Sequence, residues 1–229
     1  MADRLELKEI IAIGRTFDEY CRMFDLTYTQ LKGAAILDAC GGVASFTAEA
    51  NELGLNVKSA DSIYAFSADE LKAKSQADLD DMISKMNDIA GNYNWDFYKD
   101  IGGLASFRQK ARDLFISDYR AGRPGRYIGT KFPDTIFTGQ EFDITLMSHF
   151  LFLYDEHLDY DFHCDVIAEL IRITREEVRI YPLFNLRWKR SAFVDKIIGD
   201  ARFSRAKFEV KKTSFEFVKG ANEYLSIRL

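Results

Sequence analysis

The chain has 229 residues with a net charge of −5, and 47% hydrophobic and 29% charged residues, a composition that excludes intrinsic disorder and provides for a sizeable core in one domain. Three prolines exclude Pro-rich linkers, and the absence of any apolar run near ~20 residues speaks against a membrane span. Three cysteines without a CxxC pair argue against a disulfide framework, and MADRLELKEI lacks the features of a signal peptide, so the expectation is a cytoplasmic protein.

Thr16 and Glu19 form a capping box that opens a helix with Phe17, Tyr20, Cys21, Phe24, Tyr28 and Leu31 at helical spacing, stopped by Gly33. Ala34 to Ala39 is a short apolar strand leading into Cys40, Gly41 and Gly42. A helix follows, with Phe46, Ala50 and Leu53 on its inner face and Gly54 at its end. Asn56 to Ala60 reads as a second strand ending at Asp61, and a helix between two buried strands implies a right-handed parallel crossover.

A second capping box, Ser67 with Glu70, starts a helix that runs to Gly91, and another spans Leu104 to Tyr119. The aromatic segment NYNWDFYKDIGG separates them. Together, residues 66–125 form a helical insertion after the second strand, longer than an α/β connection requires and placed where a substrate lid would be needed. For most of its aromatics (Tyr93, Trp95, Phe97, Tyr98, Phe107), packing between the helices is the simpler role.

Arg126–Gly129, Phe142–Ser148 and Glu177–Leu183 continue the strands, with helices at about Asp159–Thr174 and Arg187–Gly199. Ser214–Lys219 and Glu223–Leu229 alternate on both sides of a Gly-containing loop and read as a closing β-hairpin. The fold class is α/β with a mixed seven-stranded sheet.

This order, together with ILDACGGVASF, resembles the class I S-adenosylmethionine-dependent methyltransferases, whose first strand runs into Asp/Glu-x-Gly-x-Gly-x-Gly. Asp38 occupies the acidic position and Gly42 a glycine position, while Cys40 and Ala44 stand where the family has glycine. Asp61, 23 positions after Asp38, matches the family's ribose-binding acid. The resemblance implies a Rossmann-like fold, S-adenosylmethionine as cofactor, and Asp38, Ala39, Cys40, Gly41, Gly42, Asp61, Ser62 and Ser148 as its binding residues.

These residue types have independent reasons. A turn with little side-chain volume lets backbone approach a ligand, a helix start offers free N–H groups, and a strand-end carboxylate accepts vicinal hydroxyls. The turn is not the G-x-G-x-x-G of a dinucleotide site. After the fourth strand, His149 is the candidate base and Tyr154 a second candidate catalytic group. A hydrogen-bonded His149 that moves no proton is an equal alternative.

His149, His157, His163 and Cys164 fit no common zinc spacing, so no metal is expected. The loop RAGRPGR (Arg120 to Arg126) offers three arginines to an anion, or is a solvated turn. Arg187 to Lys219 carries ten Lys/Arg against four Asp/Glu, and its alternation with Glu209 favours a solvated sheet face over a nucleic-acid surface. The expected activity is methyl transfer to a small molecule. A non-enzymatic member of the fold and an RNA-modifying enzyme stay open, as does the oligomeric state.

Overall fold

The structure, a computed structural model, describes residues 11–229; the leader reading of the first ten residues lies outside them. Seven strands form one sheet in the order β3-β2-β1-β4-β5-β7-β6. They are β1 Ala35–Ala39, β2 Asn56–Asp61, β3 Tyr127–Gly129, β4 Phe142–Ser148, β5 Thr174–Tyr181, β6 Lys207–Lys212 and β7 Glu223–Arg228. The first five are parallel and β7 is antiparallel to both its neighbours. This is a Rossmann-like α/β fold closed by an antiparallel strand, with its strand-order reversal beside β1.

Buried strands explain the register. In β1 the residues Ile36, Leu37 and Ala39 are fully enclosed, so both faces must be covered. Helices α3 (Phe46–Glu52) and α6 (Tyr160–Ile173) are the crossovers that follow β1 and β4. Between β2 and β3 stand α4 (Ala68–Ile89) and α5 (Ile101–Arg120), within the 66–125 segment read as an insertion. Ser67 caps α4 in the expected box, accepting from the Glu70 amide at 3.3 Å while Glu70 accepts from the Ser67 amide at 2.8 Å.

Several expected boundaries are corrected. The single helix from Phe17 to Leu31 is two, α1 (Phe17–Met23) and α2 (Tyr28–Leu31), because Asp25 takes φ 51° and Thr27 with Gln30 forms a further capping box. Helix α5 begins three residues before Leu104, since Asp100 caps it by accepting from the Gly103 amide at 2.7 Å. Strand β5 spans Thr174–Tyr181 rather than Glu177–Leu183: α6 passes into it without a loop, and Pro182 has no N–H to extend it.

Helix α7 covers only Ala192–Ile198 of the expected Arg187–Gly199. The Asn185 side chain takes the amides of Arg187 and Lys189, Trp188 sits at φ 56°, and the helix starts where Ser191 caps it. The closing hairpin pairs β7 with Lys207–Lys212, not with Ser214–Lys219. Phe215 and Phe217 leave the sheet to pack against Tyr98, at 6.2 and 4.8 Å between ring centroids. Burial of two aromatic rings outweighs a few edge hydrogen bonds.

Candidate functional site

Two cavities meet beside the carboxyl end of β4, the larger reaching to the ends of β1 and β2 and the smaller to the end of β5. The larger, about 370 Å³, is lined by Cys40, Gly41 and Gly42 of the turn after β1, Asp61 and Ser62 after β2, and Ser148 and His149 after β4. A smaller one, about 100 Å³, lies between α4, α5 and the segments around Trp188 and Phe217. Ile11, Ile13, Arg15 and His149 line both, so they form the wall where the two meet.

The turn is shaped by close backbone approach. A Cβ on Gly41 would lie 2.2 Å from Ser59 Oγ and 2.4 Å from Asp38 Oδ2, which leaves no residue but glycine there. Gly42 has φ 58° with open space around its missing Cβ, and Cys40 adopts φ 55° despite its side chain. The Gly42 amide donates to Asp61 Oδ2 at 2.9 Å, and the Ile63 amide donates to Asp61 Oδ1 at 3.1 Å. Burial raises the Asp61 carboxyl, against which these amide bonds work. Tyr64 closes the turn from behind, donating to the Gly42 carbonyl at 2.8 Å.

Asp38 and Ala39 line neither cavity. Asp38 is enclosed behind Gly41, accepting from the Tyr20 hydroxyl at 2.9 Å, and burial pushes its carboxyl up to about 7. It supports the turn rather than facing a ligand. Tyr154 is also outside both cavities: its buried hydroxyl accepts from the Ile11 amide at 3.3 Å and so holds the segment that forms their shared wall. Burial raises the Cys40 thiol well above its ordinary range, and the Asp61 and Asp38 charges add to this.

His149, at φ 52°, shares a hydrogen bond between Nδ1 and Ser148 Oγ at 2.8 Å, and its ring stands edge-on to Tyr181 at 5.4 Å. Burial, followed by the charges of Arg15 and Arg108, lowers its pKa well below the usual value, so it is neutral at physiological pH.

Sequence reasoning missed the segment Ile11–Arg15 and the buried pair it rests on. A Cβ on Gly14 would fall 2.0 Å from the Val43 carbonyl oxygen, which presses this segment onto the turn after β1. Glu19, fully buried on α1, meets Arg108 of α5 at 2.5 Å and also accepts from Tyr98. Burial pushes the Glu19 carboxyl up, but Arg108, the Thr16 amide and Tyr98 outweigh it and hold it below the usual range. A lone glycine just before a capping box was the available signal.

The other candidates dissolve into ordinary structure. The three arginines of RAGRPGR meet carboxylates: Arg120 meets Asp69, while Arg123 and Arg126 meet Asp118 at 3.2 and 2.6 Å. In the basic stretch, Arg202 pairs with Asp200 at 2.8 Å and Lys211 with Glu177 at 3.6 Å. Among the described residues no cluster of three or more His, Cys, Asp or Glu is placed to hold a metal ion, and no helix is long and apolar enough to cross a membrane.

No known protein-family model matches the chain. Among solved structures it is similar to magnesium protoporphyrin IX methyltransferase (ChlM) from Synechocystis PCC 6803. With the structure holding bound SAM the TM-score is 0.46 at 14% identity, over 93% of this chain and 77% of that one. With the structure holding bound SAH the TM-score is 0.42 at 13% identity, over 93% of each chain. The sequence is 42% identical over 225 residues to "Uncharacterized protein MJ0045" of Methanocaldococcus jannaschii, covering 98% of each. At that identity and coverage, the chain belongs to the family of MJ0045.

Proposed function

We propose that the chain is an S-adenosylmethionine-dependent methyltransferase acting on a small molecule. The observation that carries this reading is the pair of cavities meeting at His149, one built on a glycine turn and a strand-end carboxylate and the other largely apolar. The larger falls within the ~300–1,000 Å³ of small-molecule sites, and it lies where open α/β sheets bind ligands.

The residues fit the cofactor. Asp61 already accepts amides on both oxygens, but a carboxylate has about four acceptor sites, and as a lining residue of the larger cavity it has capacity left for a ribose hydroxyl. Gly42 exposes backbone without a side chain, and Ser62 and Ser148 add hydroxyls at the rim. Bound there, S-adenosylmethionine supplies an electrophilic methyl group on sulfur. The acceptor lies in the smaller cavity, where Met82, Met86 and Tyr93 from the insertion shape one side, and this is the lid role of residues 66–125.

His149 stands at the junction and is neutral, so it accepts the proton that a hydroxyl or amine acceptor gives up as its lone pair bonds to the methyl carbon and the methyl–sulfur bond breaks. The basic tail remains outside this chemistry. Calorimetric titration with S-adenosylmethionine and S-adenosylhomocysteine, with NAD as control, tests the reading. Saturable binding of both sulfur ligands but not NAD is expected. No binding of either at about millimolar concentration would discard it.

A further inference from the structure

Two arginines reach the smaller cavity, and among the described residues no Asp or Glu lines it. Their situations differ. Arg108 is neutralised by Glu19 at 2.5 Å, and its other nitrogen donates to the Tyr98 hydroxyl at 2.8 Å. Among the described residues the Arg15 guanidinium makes one hydrogen bond, from Nη1 to the Ile13 carbonyl at 2.8 Å, and no carboxylate oxygen lies within 4.0 Å of it.

Glu19 is near enough to act on Arg15 but is fully engaged. One of its oxygens takes Arg108 and Tyr98, and the other takes the amide and hydroxyl of Thr16. Burial first, and the Arg108 charge second, push the Arg15 pKa down to about 10, which leaves it charged at neutral pH. A guanidinium carries five donors, and Arg15 is half-buried with one of them used on protein and no counter-charge beside it, an arrangement that favours an anionic partner.

We infer that the smaller cavity accepts a substrate with a carboxylate on an aromatic or branched apolar body, the carboxylate pairing with Arg15. The body matches the rest of the wall, where Met82, Met86, Tyr93, Trp188 and Phe217 present apolar and aromatic surface. A planar guanidinium binds carboxylate in a two-pronged geometry, so it also fixes which end of the substrate faces His149. The other source of a carboxylate is the amino-acid part of the cofactor, but the larger cavity has a cation of its own in Lys131.

This inference rests on the proposed function, and its test separates the two. Naphthoate and its neutral isostere naphthamide are titrated, with and without S-adenosylhomocysteine, and Trp188 in the cavity wall reports occupancy by fluorescence. Naphthoate is expected to bind at least about tenfold more tightly than naphthamide, the scale of one charge-assisted hydrogen bond. Arg15→Gln should bring that ratio close to one and Arg15→Lys should keep most of it.

S-adenosylhomocysteine and methylthioadenosine, which lacks the amino-acid carboxylate, are compared on the same variants. Equal binding of naphthoate and naphthamide, or of neither, overturns the inference even when S-adenosylhomocysteine binds. So does an Arg15→Gln variant that loses its preference for S-adenosylhomocysteine over methylthioadenosine while keeping its preference for naphthoate. Failure of S-adenosylhomocysteine alone counts against the proposed function, and the naphthoate ratio measured without it still decides this one.

Discussion

The Tyr20 hydroxyl donates to Asp38 Oδ1 at 2.9 Å, which fastens the N-terminal helix α1 to the tip of β1 directly beneath the glycine turn. The carboxylate that a reader of the motif would send to the ligand is thus a buried strut. Its enclosure has a measurable signature in the pH dependence of stability.

Asp38 keeps its proton up to about 7 in the folded protein, whereas an unfolded aspartate loses it near ~3.9. Between those values the folded state binds more protons, so this residue's contribution to stability falls as pH rises through the window and is constant above it. Asp38→Asn, which still accepts from Tyr20 but cannot ionise, should gain on the wild type by up to ~1.4 kcal/mol per pH unit there. Urea denaturation at about pH 5 and about pH 8 checks this; a pH-independent difference would refute it.

Asp61→Asn should weaken S-adenosylhomocysteine binding by about ten- to a hundredfold, since a charge-assisted acceptor is worth ~1.5–3 kcal/mol. The change also loosens the turn, because the Gly42 and Ile63 amides both rest on this carboxylate. Calorimetry on the folded variant is the measurement, and unchanged affinity would place the cofactor elsewhere.

Cys40 holds a left-handed conformation at φ 55° with its thiol pushed toward the neutral form by burial. Cys40→Gly should keep S-adenosylhomocysteine affinity and change stability by no more than about 1 kcal/mol, strain relief offsetting chain entropy. Cys40→Val should be worse on both counts, because β-branched residues resist positive φ. A Cys40→Gly protein that binds but no longer turns over would show the thiol in the chemistry.

Arg108→Ala leaves Glu19 buried without its partner, and about 3–5 kcal/mol of stability should be lost. Because α1 and α5 meet through this pair, thermal and chemical unfolding should shift together. A loss below about 1 kcal/mol would mean that Tyr98 and Thr16 suffice to hold the carboxylate.

The half of the sheet around β1 was legible nearly to the residue, because Ala35–Ala39 is a largely buried, mostly apolar run that leads into a glycine turn, and Gly54 ends the helix just before Asn56–Asp61. Capping boxes at Thr16 and Ser67 wrote two helix starts into the sequence. The C-terminal pairing was not legible: residues 207–212 and 214–219 both alternate, and only the aromatic cluster, built by residues far away in the chain, decides which joins the sheet. For the same reason Arg15 escaped notice. Its meaning depends on the carboxylate it lacks, since Glu19 is spent on Arg108, and no local pattern records that.

The departure of Phe215 and Phe217 from the sheet bears on how this protein can be altered. Phe217 stacks on Tyr93 at 4.5 Å and meets Trp95 edge-on at 5.5 Å, and Trp188 stands edge-on to Tyr93 at 6.5 Å. Three stretches from distant parts of the chain therefore interlock into one rim while the strands beneath them contribute little to it. Replacing any one stretch with a segment that lacks its aromatic rings would leave the partner rings without their contacts. Transplanting all three together would carry the rim across as a unit and leave the glycine turn and its carboxylate untouched.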